Sequence, residues 1–191
     1  MAYKLKIISS TVRPGRKGPV IAKWITEQAR NTGNWEVEMI DLGERNLPLM
    51  NEAVHPMMKQ YEHEHSKAWS ATIDEADAFI FVTAEYDYSY PASLKNALEY
   101  LLHEWAYKAA GLVTYSAGPF AGVRAWMPLK LDLLSLRCIS IAEAVHIPFI
   151  GQSINDDNIF EPNEHVEKAT SAMLSQLVRW TKGMKAIKED K

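Results

Sequence analysis

Short β-branched apolar runs alternate along this chain with longer segments in which apolar residues recur every three to four positions. Leu5-Lys6-Ile7-Ile8-Ser9 reads as a first strand, closed by a Ser/Thr/Arg/Pro/Gly stretch from Ser10 to Gly18. Pro19 suits the first turn of a helix, where its missing N–H is no loss. Ile21, Trp24, Ile25 and Gln28 share one face of that helix, and Gly33 should stop it. Trp35 to Asp41 alternates as a half-exposed edge strand does. Leu42 to His55, with Pro48, reads as a long surface connection, and a second helix is expected over about Tyr61 to Glu75. Ala78-Phe79-Ile80-Phe81-Val82-Thr83 is continuously apolar, as a central parallel strand covered on both faces must be. Pro91 opens a third helix with Leu94, Ala97, Leu98 and Leu101 as its buried stripe, and Gly111 to Ser116 forms the fourth strand. A fourth helix is predicted after Pro128, with Leu129, Leu133 and Leu136 in register, then a fifth strand from Ala144 to Ile150. The last helix, near Glu164 to Lys185, carries Val166, Ala169, Met173, Leu177 and Trp180, and Lys182 to Lys191 reads as a frayed charged tail.

Five strand–helix alternations without a break in composition predict one doubly wound α/β domain over residues 1–191, with helices on both faces of a parallel sheet. For five strands joined by right-handed crossovers, the order 2-1-3-4-5 places the switch between strands 1 and 3, and ligands sit beyond the carboxyl ends of the strands there. The loops that matter are therefore Ser10 to Gly18, Ala84 to Tyr90 and Ser116 to Gly122.

Composition narrows the class. The 191 residues are 47% hydrophobic and 24% charged, the proportions of an ordinary globular protein. Cys138, the only cysteine, lies in an apolar stretch read as helix; it excludes an internal disulfide and any Cys-rich metal site, and a cytoplasmic setting fits best. A net charge of −3 does not describe a nucleic-acid binder. The apolar run Leu5 to Ile8 is too short for a signal peptide, and nowhere do about 18 apolar residues run together, so no membrane partner is expected.

The three loops differ in chemistry. Ser10-Thr11-Val12-Arg13-Pro14-Gly15-Arg16-Lys17-Gly18 offers two hydroxyls and three cations ahead of a helix N-terminus, which suits a phosphate. It carries neither the Walker sequence nor Gly-x-Gly-x-x-Gly. Ala84-Glu85-Tyr86-Asp87-Tyr88-Ser89-Tyr90-Pro91 sets three tyrosines in a turn at the end of the most buried strand, which suits a planar guest or, alternatively, a subunit interface. Tyr115-Ser116-Ala117-Gly118-Pro119-Phe120-Ala121-Gly122 is small enough for its backbone to approach a ligand edge. Together they describe a phosphorylated, flat, heteroaromatic ligand.

At these loops the chain resembles the NADPH-dependent FMN reductase family of flavodoxin-like proteins, which includes flavin, quinone, azo-dye and chromate reductases. The family's Gly-Ser-x-Arg opening is matched by Ser10-Thr11-Val12-Arg13, and its Pro-Glu-Tyr-Asn-x-Ser-x-Pro-x-x-Leu-Lys-Asn-Ala signature by Ala84 through Ala97. The resemblance covers about residues 4 to 150. It implies a flavodoxin-like fold and FMN, with Thr11, Arg13 and the helix-start backbone of Gly18, Pro19 and Val20 at the phosphate. Glu85, Tyr86, Asp87, Tyr88, Ser89, Ser116, Ala117 and Gly118 would then lie at the ring. Three departures stand out: Ser10 for glycine, Ala84 and Asp87 within Pro-Glu-Tyr-Asn, and Pro119-Phe120 in a Gly-rich loop. Asp87 accepts hydrogen bonds but cannot donate them, and its charge opposes that of reduced flavin.

The implied activity is hydride transfer from NADPH, or NADH, through FMN to a small-molecule acceptor such as a flavin or quinone. The cofactor carries that chemistry, so no catalytic acid or base and no metal is nominated. The alternative is a flavodoxin-like electron carrier or flavin-binding regulator without a substrate of its own, which the near-neutral charge and the cations at Arg13, Arg16 and Lys17 oppose. Tyr86, Tyr88, Tyr90, Trp105 and Tyr107, added to five further tryptophans, exceed what one domain is expected to bury, so a homo-oligomer, dimer or tetramer, is anticipated. His103-Glu104-Trp105 resembles a subunit-contact segment of the family, or else is a helix end with a core tryptophan. Glu62-His63-Glu64-His65 reads as a solvated helix start.

Overall fold

The computed structural model describes residues 2–190; Met1 and Lys191 lie outside the described residues. Five parallel strands, β1 (Tyr3–Ser9), β2 (Trp35–Asp41), β3 (Ala78–Ala84), β4 (Ala109–Tyr115) and β5 (Ile139–Ile147), pair in the order β2-β1-β3-β4-β5. The expected order and edge position of β2 are thus observed. Every residue of β3 and β4 is buried, the burial that their unbroken apolar runs require.

The crossovers supply helices to both faces: α1 (Gly18–Asn31), a short α2 (Leu42–Arg45), α3 (Glu64–Asp74), α4 (Ala92–Glu99), α5 (Val123–Ser135) and α6 (Glu164–Glu189). Two cores result. One packs Ile21 and Ile25 of α1 with Met173 and Leu177 of α6 against Leu5, Ile7, Ile80 and Val113. The other packs Trp69 of α3, Leu94 and Leu98 of α4, and Leu129 and Leu133 of α5 against Ile8, Phe79, Phe81 and Leu112.

Four expectations give way. The fourth helix starts at Val123, five residues before Pro128, which lies inside it. Gly122 starts the helix instead: it sits at φ +81°, and a Cβ there would meet Thr114 Cβ and the Tyr115 amide nitrogen at 2.7 Å. The fifth strand begins at Ile139 and ends at Ile147; its first half carries a register shift opposite Ala110 to Leu112 and partly exposed residues, which hid it from an apolar-run criterion. Cys138 lies between α5 and β5 rather than in a helix; it is fully buried, and burial pushes its thiol up to about 12. Finally, α6 runs to Glu189 rather than fraying from Lys182, and Trp180 is exposed on it.

Candidate functional site

The carboxyl ends of β1, β3 and β4 converge three loops, and side chains tie each loop to the next. Ser10 Oγ donates to Thr83 Oγ1 at 2.9 Å, and Ser93 Oγ donates to the Ser10 carbonyl, seating the first loop on β3 and α4. Arg13 Nε donates to Tyr86 Oη at 3.0 Å, joining the first loop to the second. The Glu85 amide donates to the Tyr115 carbonyl at 3.0 Å, and Arg124 Nη1 reaches Glu85 Oε1 at 3.2 Å, joining the second to the third.

The first loop fits an anion. The N-cap residue of α1, Lys17, makes no side-chain cap, and Tyr115 Oη, which accepts from the Gly18 amide, is the one side chain bonded at the helix start among the described residues. Pro19 has no N–H; of the three helix-start residues only Gly18 and Val20 present donors. Thr11 is fully buried, with Oγ1 3.2 Å from Tyr115 Oη. The buried Ser9 hydroxyl has no hydrogen-bond partner among the described residues. A Cβ on Gly18 would stand 2.5 Å from Thr11 Oγ1, 2.8 Å from Ser9 Oγ and 3.1 Å from Tyr115 Oη, so only glycine admits this ring of hydroxyls around the helix start. Burial pushes the Tyr115 phenol up to about 12, against the pull of the Thr11 hydrogen bond, so it stays a neutral donor at physiological pH.

Of the three cations, Arg16 is taken. Its Nη2 contacts Asp41 Oδ2 at 2.8 Å, at the end of β2, and that hydrogen bond raises its pKa further. Arg13 is exposed, and among the described residues only its Nε makes a hydrogen bond, to Tyr86, which leaves its two terminal nitrogens for an anion.

The second loop is a tight reversal. Tyr86 and Ser89 exchange both backbone hydrogen bonds, at 2.8 and 2.9 Å, and Asp87 and Tyr88 lie at φ 48° and 67°. Two successive left-handed residues define a type I′ turn, which asparagine or aspartate enters readily. Asp87 is therefore an exposed turn tip, and Tyr86 packs on the core beside it. Tyr90 and Trp105 are buried within the chain. Tyr90 Oη donates to Asp132, and Trp105 lies among Phe79, Phe81 and Trp69 with centroids 5.0 to 6.1 Å away. The aromatic-excess argument for a covering subunit fails on these two rings, and His103-Glu104-Trp105 lies in turns beyond the end of α4, with Trp105 in the core.

The third loop is pinned from below. Ser116 Oγ donates to the Gly118 carbonyl at 2.9 Å, the Phe149 amide to the same carbonyl at 3.2 Å, and the Ile150 amide to the Ser116 carbonyl at 3.0 Å. Thr114 Oγ1 donates to the Ala121 carbonyl at 2.8 Å, so its lone pair faces His146 Nδ1 at 2.7 Å and the ring proton sits on Nδ1. Burial lowers the His146 pKa and keeps that ring neutral. Ala117 is exposed, and nothing crowds Gly118.

Tyr115, Arg124 and Phe120 escaped the sequence reading as site residues. Tyr115 was legible only as a residue near the end of the fourth strand, at the start of the third loop. Arg124 lay in a stretch read as loop before a helix that starts five residues earlier than expected.

An open five-stranded parallel sheet with an anion-suited helix start and a tyrosine turn at its switch point defines a flavodoxin-like protein. The sequence model described as NADPH-dependent FMN reductase matches residues 3–152, and the chain belongs to that family. An NAD(P)H-dependent FMN reductase of Schizosaccharomyces pombe is 41% identical over 147 residues, 76% of this chain and 74% of that protein. One from Saccharomyces cerevisiae is 32% identical, covering 90% and 95%. A quinone reductase of Pseudomonas putida is 26% identical, covering 97% and 98%. Among solved structures, a flavoenzyme NAD(P)H:(acceptor) oxidoreductase of Paracoccus denitrificans superposes with a TM-score of 0.77 at 21% identity, over 96% of this chain and 99% of that one.

Proposed function

We propose that this chain is an NAD(P)H-dependent, FMN-containing oxidoreductase that passes a hydride from NAD(P)H by way of the flavin to a small acceptor, a flavin or quinone. The observation that carries the reading is the hydroxyl-lined start of α1, joined through Arg13 and Tyr86 to the tyrosine turn, so that an anion cradle and a flat-ring lip share one sheet edge. FMN bound there supplies the two-electron chemistry. The protein's own part is positional. Thr11, Arg13 and the Gly18 and Val20 amides hold the phosphate, and Glu85 to Ser89 with Ser116 to Gly118 border the ring. Relatives named FMN reductase, quinone reductase and azoreductase support small-molecule acceptors over the electron-carrier alternative.

Residues 1–191 act as one flavodoxin-like unit in the cytoplasm. Among the described residues no helix is long and apolar enough to cross a membrane. The chain assembles as a dimer or tetramer through α5, whose outer face exposes Val123, Met127, Leu131 and Leu134 at helical spacing. That stripe replaces the buried tyrosine and tryptophan as the support for assembly.

The test is an absorbance spectrum of the purified protein with FMN, then anaerobic titration with NADPH and NADH. Bound flavin bleached by one equivalent of either nucleotide is expected. Bound flavin that neither nucleotide bleaches would favour the carrier, and no flavin binding at all would reject the site.

A further inference from the structure

Phe120 is an exposed ring of the third loop, and it is not idle. The Arg124 guanidinium carbon lies 3.7 Å from the Phe120 ring centroid and 4.1 Å from that of Tyr88. Two rings this close to one carbon cannot share a face of the guanidinium, so they flank it, one from each loop tip. Both rings are otherwise left to water, Tyr88 being 70% and Phe120 54% exposed, whereas Tyr90 in the same loops is buried. Both rings lie within stacking distance of the guanidinium, the flattest cationic side chain. Arg124 is held there by a single side-chain ion pair, to Glu85 Oε1 at 3.2 Å, while its backbone amide is anchored separately to Glu85 Oε2 at 3.3 Å. The side chain can therefore leave the gap without releasing the start of α5.

We propose that Tyr88 and Phe120 form a clamp for the planar ring of the second substrate, and that Arg124, which fills the clamp at rest, selects acceptors bearing an anionic substituent. The assignment rests on the flavin reading given above. Buried groups, Thr11 and Gly18, suit a resident cofactor; the most exposed rings of the second and third loops suit a ligand that exchanges. An entering ring displaces the guanidinium to its edge, where a sulfonate, carboxylate or phosphate on the ring pairs with the cation. A neutral ring must displace the same side chain and gains no such pair.

The experiment titrates the FMN-loaded protein, without NAD(P)H, with 1,4-naphthoquinone-2-sulfonate and with 1,4-naphthoquinone, reading dissociation constants by calorimetry or fluorescence quenching. Loss of one stacking face in Phe120→Ala should weaken both quinones roughly three- to tenfold. Arg124→Ala should split them: the sulfonate weakens about fivefold or more, while the neutral quinone binds at least as tightly because its competitor for the gap is gone. Arg124→Lys should keep the preference for the sulfonate. A stack that only braces the loops would weaken both quinones alike in Arg124→Ala, or neither in Phe120→Ala, and either result overturns the proposal. So does a Phe120→Ala effect confined to FMN affinity, which would give the clamp to the flavin ring. A wild-type protein that takes up no FMN would show itself in the spectrum before any quinone is added, and would remove the flavin reading and the clamp's role together.

Discussion

Replacing Gly18 by alanine tests the anion cradle at its narrowest point. The added methyl would lie 2.5 Å from Thr11 Oγ1 and 2.8 Å from Ser9 Oγ, both on side chains with no exposed surface and therefore with nowhere to move. Gly18 has no positive φ, so the effect is steric rather than conformational. Overpacking of this kind costs about 1–3 kcal/mol, and in a chain of this size each kcal/mol lowers Tm by about 2–4 °C. The displaced Thr11 hydroxyl and Gly18 amide are also the proposed phosphate ligands, and hydrogen bonds to a charged group are worth about 1.5–3 kcal/mol each. FMN should therefore weaken roughly ten- to a hundredfold, and riboflavin, which lacks the phosphate, much less. The internal control is Gly183→Ala in α6, where no atom lies within 4 Å and φ is unremarkable; it should stabilise by about 0.5–1 kcal/mol. Thermal melts of both variants, with FMN and riboflavin titrations of Gly18→Ala, decide the matter. An unchanged Tm together with equal losses for the two flavins would show that Gly18 is not packed against a phosphate cradle.

Arg13→Ala should weaken FMN about ten- to a hundredfold in fluorescence titration and spare riboflavin, whereas Arg16→Ala should act mainly on Tm because its partner is Asp41; the reverse pattern would misplace the first loop. Lys108 donates to the Ile73 and Asp74 carbonyls at the end of α3, and burial pulls its ammonium from 10.5 down to about 8. Between pH 8 and about 10 Lys108 then holds its proton in the unfolded chain and sheds it in the folded one, so the denaturant-measured stability of the wild type relative to Lys108→Met should rise with pH across that window. If the chain assembles through α5 as proposed, wild type should scatter light as a dimer or tetramer and Leu131→Glu with Leu134→Glu, both exposed positions, as a monomer with an unchanged far-UV spectrum.

Period and punctuation along the chain determined the sheet. The unbroken apolar run of β3 marked a central strand and the alternation of β2 an edge, and the hydroxyl–cation loop before Pro19 suited an anion, because each of these is a local property of a few consecutive residues. Tertiary structure decided what those loops do to each other. Thr11 meets Tyr115 across 104 positions and Arg124 meets Glu85 across 39, pairings that exist only once β1, β3 and β4 are neighbours. The same neighbourhood withdrew Arg16 to Asp41 and sank Tyr90 and Trp105 into the core, leaving Tyr88 and Phe120 at the surface. It also moved the start of α5 back to Val123, capped by Gly122, whose missing Cβ is demanded by Thr114 on an adjacent strand as well as by its own φ of +81°. Periodicity reports which face a residue takes; only the sheet order, which brings distant segments within van der Waals range, settles which residue it faces.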